Sequence, residues 1–204
     1  MTAVIFAVGF SLKAQNNQIQ CNEQVARYVD LLVNRRSAQT EQMMQRACNY
    51  FPIIEETLQR HQLPNELKYL VMVESAMNPA ATSHNGKVGL WQLDAITAKQ
   101  YGLEVSDARD ERKDPKNSTE AACLSLKALN SHFGDLLLAI AAYNTSVATV
   151  EQAMDRAGGD SDYWAMEKYL PLETRGYVPA FLAIIHVLDH PETYGMYPVC
   201  PATP

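Results

Sequence analysis

Glu74 is the residue of this chain that is hardest to explain without chemistry. In "LKYLVMVESAMNPAA", residues 67–81, Leu67, Leu70, Val71 and Glu74 recur at i, i+3, i+4 and i+7. That spacing is one face of a helix with about 3.6 residues per turn. An ionised carboxylate on a buried stripe is costly unless paired, so the position calls for a partner, a raised pKa or a proton-transfer role. A glutamate near a helix end that snorkels to solvent, or pairs with Lys68 or Arg109, satisfies the pattern without catalysis. Histidine offers a rival chemistry: His186 and His190 stand at i, i+4 and would present two ring nitrogens to a metal. No HExxH glutamate lies between them and no third ligand is evident, so no metal is expected.

Helices must position these residues, because helical spacing dominates and period-two alternation nowhere persists. Residues 22–36 carry Val25, Tyr28, Val29 and Leu32 on one face, and 38–61 carry Met43, Met44, Ala47, Phe51, Ile54 and Leu58. The Glu74 helix starts around Pro64, which suits a first turn, and ends near Ala76, because Asn78 precedes Pro79 and is pushed out of the α region. The loop "SHNGKVGLWQ" follows. Asp114 then serves as N-cap with Pro115 in the first turn of a helix that runs to Phe133 and stops at Gly134. "DLLLAIAAYN" is short and almost wholly apolar, hence central. Thr145 or Ser146 caps the next helix, which ends at Gly158 and Gly159, and a last helix spans about 174–189. The fold class is all-α.

The totals narrow the partners. The 204 residues are 47% hydrophobic and 20% charged, ordinary for a globular domain, and the net charge of −6 comes with no Lys/Arg-rich run. That balance argues against nucleic acid, whose phosphates attract basic patches. "MTAVIFAVGFSLKAQ" holds an apolar core of roughly ten residues, too short to span a bilayer and right for a secretory signal, with cleavage near Ala14 or Gln15. It lacks the cationic start of such signals, which leaves a misassigned start or a buried N-terminal element open. Cys21 follows "QIQ", which does not fit a lipoprotein cleavage box, so no lipid anchor is expected. The four cysteines, Cys21, Cys48, Cys123 and Cys200, lack zinc-type spacing. In an exported protein they allow up to two disulfides with three connectivities, and Cys123 suits a buried free thiol equally well.

Four motifs occur in order: Glu74-Ser75, Gly89-Leu90-Trp91-Gln92, Ala142-Tyr143-Asn144 and Glu173-Thr174-Arg175-Gly176-Tyr177. With "RYVDLLVNRR", "YFPIIEETLQRHQLPNELKYL", "DERKDPKNSTEAA" and "LPLETRGYVPAFLA", this order resembles the lytic transglycosylases of the goose-lysozyme-like clan. Within them it is most similar to the membrane-bound lytic murein transglycosylase D type, over about residues 22–198. The resemblance implies a lysozyme-like SLT domain over 63–190 behind a helical extension over 22–62, while the apolar start gives a signal peptide over 1–15 and composition a Pro-rich tail over 191–204.

What the resemblance implies chemically is cleavage of the β-1,4 bond between N-acetylmuramic acid and N-acetylglucosamine in peptidoglycan strands, in the periplasm or cell envelope, without cofactor or metal. Glu74 would be the single catalytic acid and base. Ser75, Gly89, Leu90, Trp91, Gln92, Tyr143, Asn144 and Tyr177 would bind or frame the substrate, with Gln92 on saccharide polar groups, Asn144 on the acetamide and Tyr177 beside the Glu74 carboxyl. Each has a plainer explanation: an ordinary turn packed by Trp91, a capping Asn144 or Ser75, core tyrosines. Two stretches depart from the pattern, "LDAITA" after Gln92 and "TSVATV" after Asn144, where the family commonly has a Met-Pro-Ala-Thr-Gly-like run and a Gly-containing turn. No LysM-like repeat follows, so anchoring by such modules is not expected. A catalytically weak or inactive peptidoglycan-binding module and a goose-type lysozyme that hydrolyses with water stay open. Hydrolysis would need a second acid, and Asp94, Asp110, Asp114 and Glu173 are the acids available.

Overall fold

The computed structural model describes residues 22–197. Helix α1 (Glu23–Asp30) is capped by the Asn22 side chain, which accepts from the Val25 amide, and widens into a π-helical turn over Leu31–Arg35. Helix α2 (Ser37–Arg60) follows directly. The sequence places one regular helix over 22–36; the widened turn escapes it because an inserted residue leaves the apolar spacing on either side intact. The Thr40 hydroxyl donates to the carbonyls of Leu32 (2.9 Å) and Arg36 (3.0 Å), satisfying groups at the wide turn.

Glu74 sits on α3 (Leu70–Ser75), entered through a 3-10 turn over Asn65–Tyr69 with Pro64 just before it. The helix ends at Ser75, three residues ahead of Asn78. Ala76 and Met77 adopt left-handed angles, φ 50° and 63°, and it is this reversal, before the proline constraint acts, that closes the helix. Such angles are uncommon for residues with a Cβ. Here they are held by burial of the Met77 side chain and by Arg46, whose Nη1 donates to the Ala76 carbonyl at 3.0 Å.

Short α4 (Ala95–Gln100), where the sequence pattern places no helix, starts within the atypical "LDAITA" stretch, with Asp94 capping it. Asp114 caps α5 (Pro115–Phe133) as expected, and Gly134 ends it in the left-handed conformation. Helix α6 (Leu136–Asn144) is buried over most of its length, and Ser146, rather than Thr145, caps α7 (Val147–Arg156). Two short helices, α8 (Tyr163–Met166) and α9 (Leu172–Arg175), lead to α10 (Tyr177–Asp189) and α11 (Pro191–Tyr194). The last long helix thus breaks at Gly176 where the sequence predicts continuity from 174.

The central helices α6 and α10 are apolar on nearly every face, so other helices must cover them. Helix α5 packs along α6 and α2, and α1 lies on α10. One continuous core results, with Ile54, Leu70, Trp91, Ile140 and Phe181 among its fully buried members. Among the described residues there are isolated β-bridges but no sheet, and no helix is long and apolar enough to cross a membrane. Cys123 is a buried free thiol, Cys48 is disulfide-bonded, and Cys21 and Cys200, like the proposed signal and the end of the Pro-rich tail, lie outside the described residues.

Candidate active site

The last turn of α3 brings Glu74 against the first residue of α10. Tyr177 Oη donates to Glu74 Oε1 at 2.5 Å, joining groups 103 residues apart in sequence. Burial pushes the Glu74 carboxyl up to about 7, opposed by the Tyr177 hydrogen bond and by the positive charge of Lys87. Neither cation offered by the sequence pairs with it: Lys68 binds Glu55 at 2.5 Å and Arg109 binds Glu111 at 2.8 Å. A carboxyl that holds its proton near neutrality in an open cleft is suited to proton donation.

Two tyrosines frame this acid as neutral groups, since burial raises both phenols well above their ordinary range. Tyr177 spends its hydroxyl on Glu74. Tyr143, at the end of α6, donates instead to the Trp91 carbonyl at 2.9 Å and so fixes the loop, while lying close enough for the Glu74 charge to act on it.

The Gly89–Gln92 loop divides by role. Leu90 and Trp91 are fully buried, so the expectation that they frame substrate directly is corrected: they anchor the loop in the core, with Trp91 Nε1 donating to Thr119 Oγ1 at 2.8 Å. Gly89 has φ +87°, and a Cβ there would lie 1.9 Å from the Arg112 carbonyl oxygen, so no other residue fits. Gln92, left-handed at φ 47°, spends its Nε2 on the carbonyls of Gly89 (2.9 Å) and Ala81 (3.2 Å). Arg112 locks the same loop from behind, donating to the Gly86 and Leu93 carbonyls while ion-paired to Asp110 at 2.8 Å. Ser75 Oγ donates to the Val71 carbonyl at 3.2 Å, and the Asn144 carbonyl receives Lys87 Nζ at 3.1 Å.

Two cavities share Gln92 in their lining, and Glu74 borders the first of them. The first, about 580 Å³, is bordered by Glu74, Ser75, Thr82, Leu32, Arg36 and Met43. The second, about 560 Å³, is bordered by Lys87, Asp94, Tyr101, His132 and Tyr143. Lys87, Arg112 and the α1–α2 wall are the site elements the motifs did not single out; the cations within "NGKVG" and "DERKD" were the available signal. Of the four acids open to a second role, Asp94 has Oδ1 on the Ile96 and Thr97 amides and Oδ2 on the Thr97 hydroxyl. Burial acts to raise it, but these bonds and Lys87 hold it below the usual carboxylate range. Asp110 is taken by Arg112, and Asp114 caps α5. The histidine pair is likewise engaged, His186 Nε2 with Tyr194 Oη (2.8 Å) and His190 Nδ1 with the His186 carbonyl (2.9 Å).

Residues 51–165 match the family model for the transglycosylase SLT domain, more than half of the chain. The chain belongs to the transglycosylase SLT domain family. It is 39% identical over 155 residues to the membrane-bound lytic murein transglycosylase D of Escherichia coli K12, which covers 74% of this chain and 34% of that protein. Peptidoglycan transglycosylase gp16 of Escherichia phage T7 is 31% identical over 133 residues, 63% of this chain and 10% of that protein. The fold is shared with the crystal structure of the 70-kDa soluble lytic transglycosylase of E. coli, with a TM-score of 0.61 at 22% identity over 88% of this chain and 32% of that one. The chain thus spans about a third of the length of the first of these relatives. Within the SLT segment lie Glu74, Gln92 and Tyr143; Tyr177 and the α1–α2 wall of the cleft lie outside it.

Proposed function

We propose that the chain is a peptidoglycan lytic transglycosylase that cleaves the bond between N-acetylmuramic acid and N-acetylglucosamine and closes a 1,6-anhydro ring. The observation that carries this reading is Glu74, a carboxyl that titrates near 7, bonded to Tyr177 in the open cleft of an SLT-family chain. In the first half-reaction Glu74 gives its proton to the glycosidic oxygen as the C1–O bond breaks. The muramic acetamide stabilises the resulting centre, with Asn144 as its hydrogen-bonding partner. The Glu74 carboxylate then takes the proton of the C6 hydroxyl as O6 bonds to C1. The proton returns to Glu74 and no water is consumed.

A second carboxylate to activate water is what this reading lacks need of, and Asp94 supports it by having both oxygens engaged. Tyr177 holds the acid and eases formation of its anion, Tyr143 and Gln92 shape the floor, and Ser75 faces the sugar beside Glu74. The substrate lies in the cell envelope, so the reading includes export. Digestion of purified sacculi, with product masses recorded, tests the reaction: the muramic product is expected one water lighter than a hydrolytic product. A reducing muramic end would replace the lyase with a lysozyme, and intact sacculi would leave a binding module.

A further inference from the structure

We infer that the cavity between the α1–α2 junction and Glu74 is a stem-peptide site, in which Arg36 pairs with a carboxylate of the peptide carried by the muramic residue. The inference rests on the proposed peptidoglycan substrate. Arg36 borders the same cavity as Glu74. On a chain of net charge −6 whose other site cations are engaged, its guanidinium makes no ion pair or side-chain hydrogen bond among the described residues. Neighbouring Arg35, by contrast, is paired with Asp30 at 2.8 Å. A guanidinium presents a planar fork of donors that matches a carboxylate two-to-two, which makes it a reader of acids rather than of neutral sugar hydroxyls.

The surface around it fits the rest of a peptide. Leu31, Leu32 and Met43 supply apolar area suited to the methyl groups of alanine-type side chains, beside the hydroxyls of Thr82 and Ser83. Leu31 and Leu32 belong to the π-helical turn, a rare feature that is frequent at functional sites, and Thr40 braces that turn through two carbonyls. The wall is also fixed to the catalytic side. Tyr28 lies against Gly176, where an added Cβ would come within 2.1 Å of its hydroxyl, and the next residue is Tyr177. A ligand seated on this wall is therefore held in register with Glu74.

Binding of soluble glycan strands to the full chain bearing Glu74→Gln, which prevents cleavage, tests the site. Peptide-bearing strands are compared with strands stripped by an amidase, which leaves only the lactyl carboxylate on the sugar. Adding Arg36→Gln is expected to weaken binding of peptide-bearing strands about tenfold while stripped strands change less than about twofold, with Arg36→Lys retaining part of the loss. Equal weakening on both would move the contact to the lactyl carboxylate, and no change on either would remove Arg36 from recognition; each overturns the stem-peptide site. The reaction is read separately: product from stripped strands by the otherwise native Arg36→Gln protein shows the chemistry intact, whereas binding without any product from the native chain defeats the lyase reading and leaves this site standing.

Discussion

The two cavities that share Gln92 have nearly the same volume and opposite characters. On the Lys87 side, the polar side chains Lys87, Asp94 and His132 are tied to protein: Lys87 to the Asn144 carbonyl, Asp94 to the start of α4, His132 to Glu151. On the α1–α2 side the floor is apolar and its one cation, Arg36, is free among the described residues. A surface whose polar groups bind each other presents shape, while an exposed guanidinium without a protein partner is available to an acidic ligand. The difference teaches that the site is assembled across the borders of the family segment: Glu74, Gln92 and Tyr143 come from within residues 51–165, and Tyr177, Leu32 and Arg36 from outside them.

Glu74→Gln should have the largest effect. Glutamine keeps the size but cannot pass a proton, so turnover should fall by roughly 100- to 10,000-fold, measured as anhydro product released per unit time. The same substitution has a stability signature whose sign follows from the pKa. The unfolded carboxyl titrates at 4.5 and the folded one at about 7. Between those values the folded state keeps a proton that the unfolded state has lost, so native stability falls as pH rises through that window, by about 3 kcal/mol in all. Chemical denaturation of Glu74→Gln should show this decline removed and higher stability at pH 8. An unchanged pH dependence would place the buried proton on another group.

Tyr177→Phe removes the one hydroxyl that stabilises the Glu74 anion, and should lower turnover roughly 10- to 100-fold, since hydrogen bonds to charged groups are the strong ones. It should also move the alkaline fall of the pH–rate profile upward, because the bond lost is one that holds the carboxyl down. Tyr143→Phe sharpens the contrast. Its hydroxyl serves the Trp91 carbonyl, so the loss should appear as about 1–3 kcal/mol in denaturation midpoints, with a smaller loss of turnover than Tyr177→Phe. The reverse ordering would exchange the roles of the two tyrosines. Smallest of all, Lys87→Gln should leave turnover near its maximum at low pH while shifting the alkaline limb upward, as the cation that lowers Glu74 is gone.

Much of this was legible where the signal is local. The Leu67–Glu74 stripe placed the acid on its helix, and Asp114, Pro115 and Gly134 bounded α5 because caps act within a turn or two. The order of motifs placed Tyr177 beside Glu74 through resemblance alone, since nothing within either segment encodes a contact across 103 positions. Burial of Leu90 and Trp91 was not legible, because an apolar pair in a short loop has no periodicity to say which way it faces. The need for glycine at 89 depends on the Arg112 carbonyl, which arrives from a distant turn. Nor does the free state of Arg36 show in "NRRS", where only the fold decides which of two adjacent arginines finds an aspartate.

Tyr28 resting on Gly176 links the ends of the described chain around the acid between them. A recombination event that moved residues 51–165 alone into another protein would carry the proton donor without the hydroxyl that steadies it or the wall that faces it. A transferred segment that keeps the Tyr177–Glu74 bond and the Tyr28–Gly176 contact therefore has its borders outside Tyr28 and Tyr177. A change at 28 and a change at 176 are expected to compensate each other in descendants rather than drift apart.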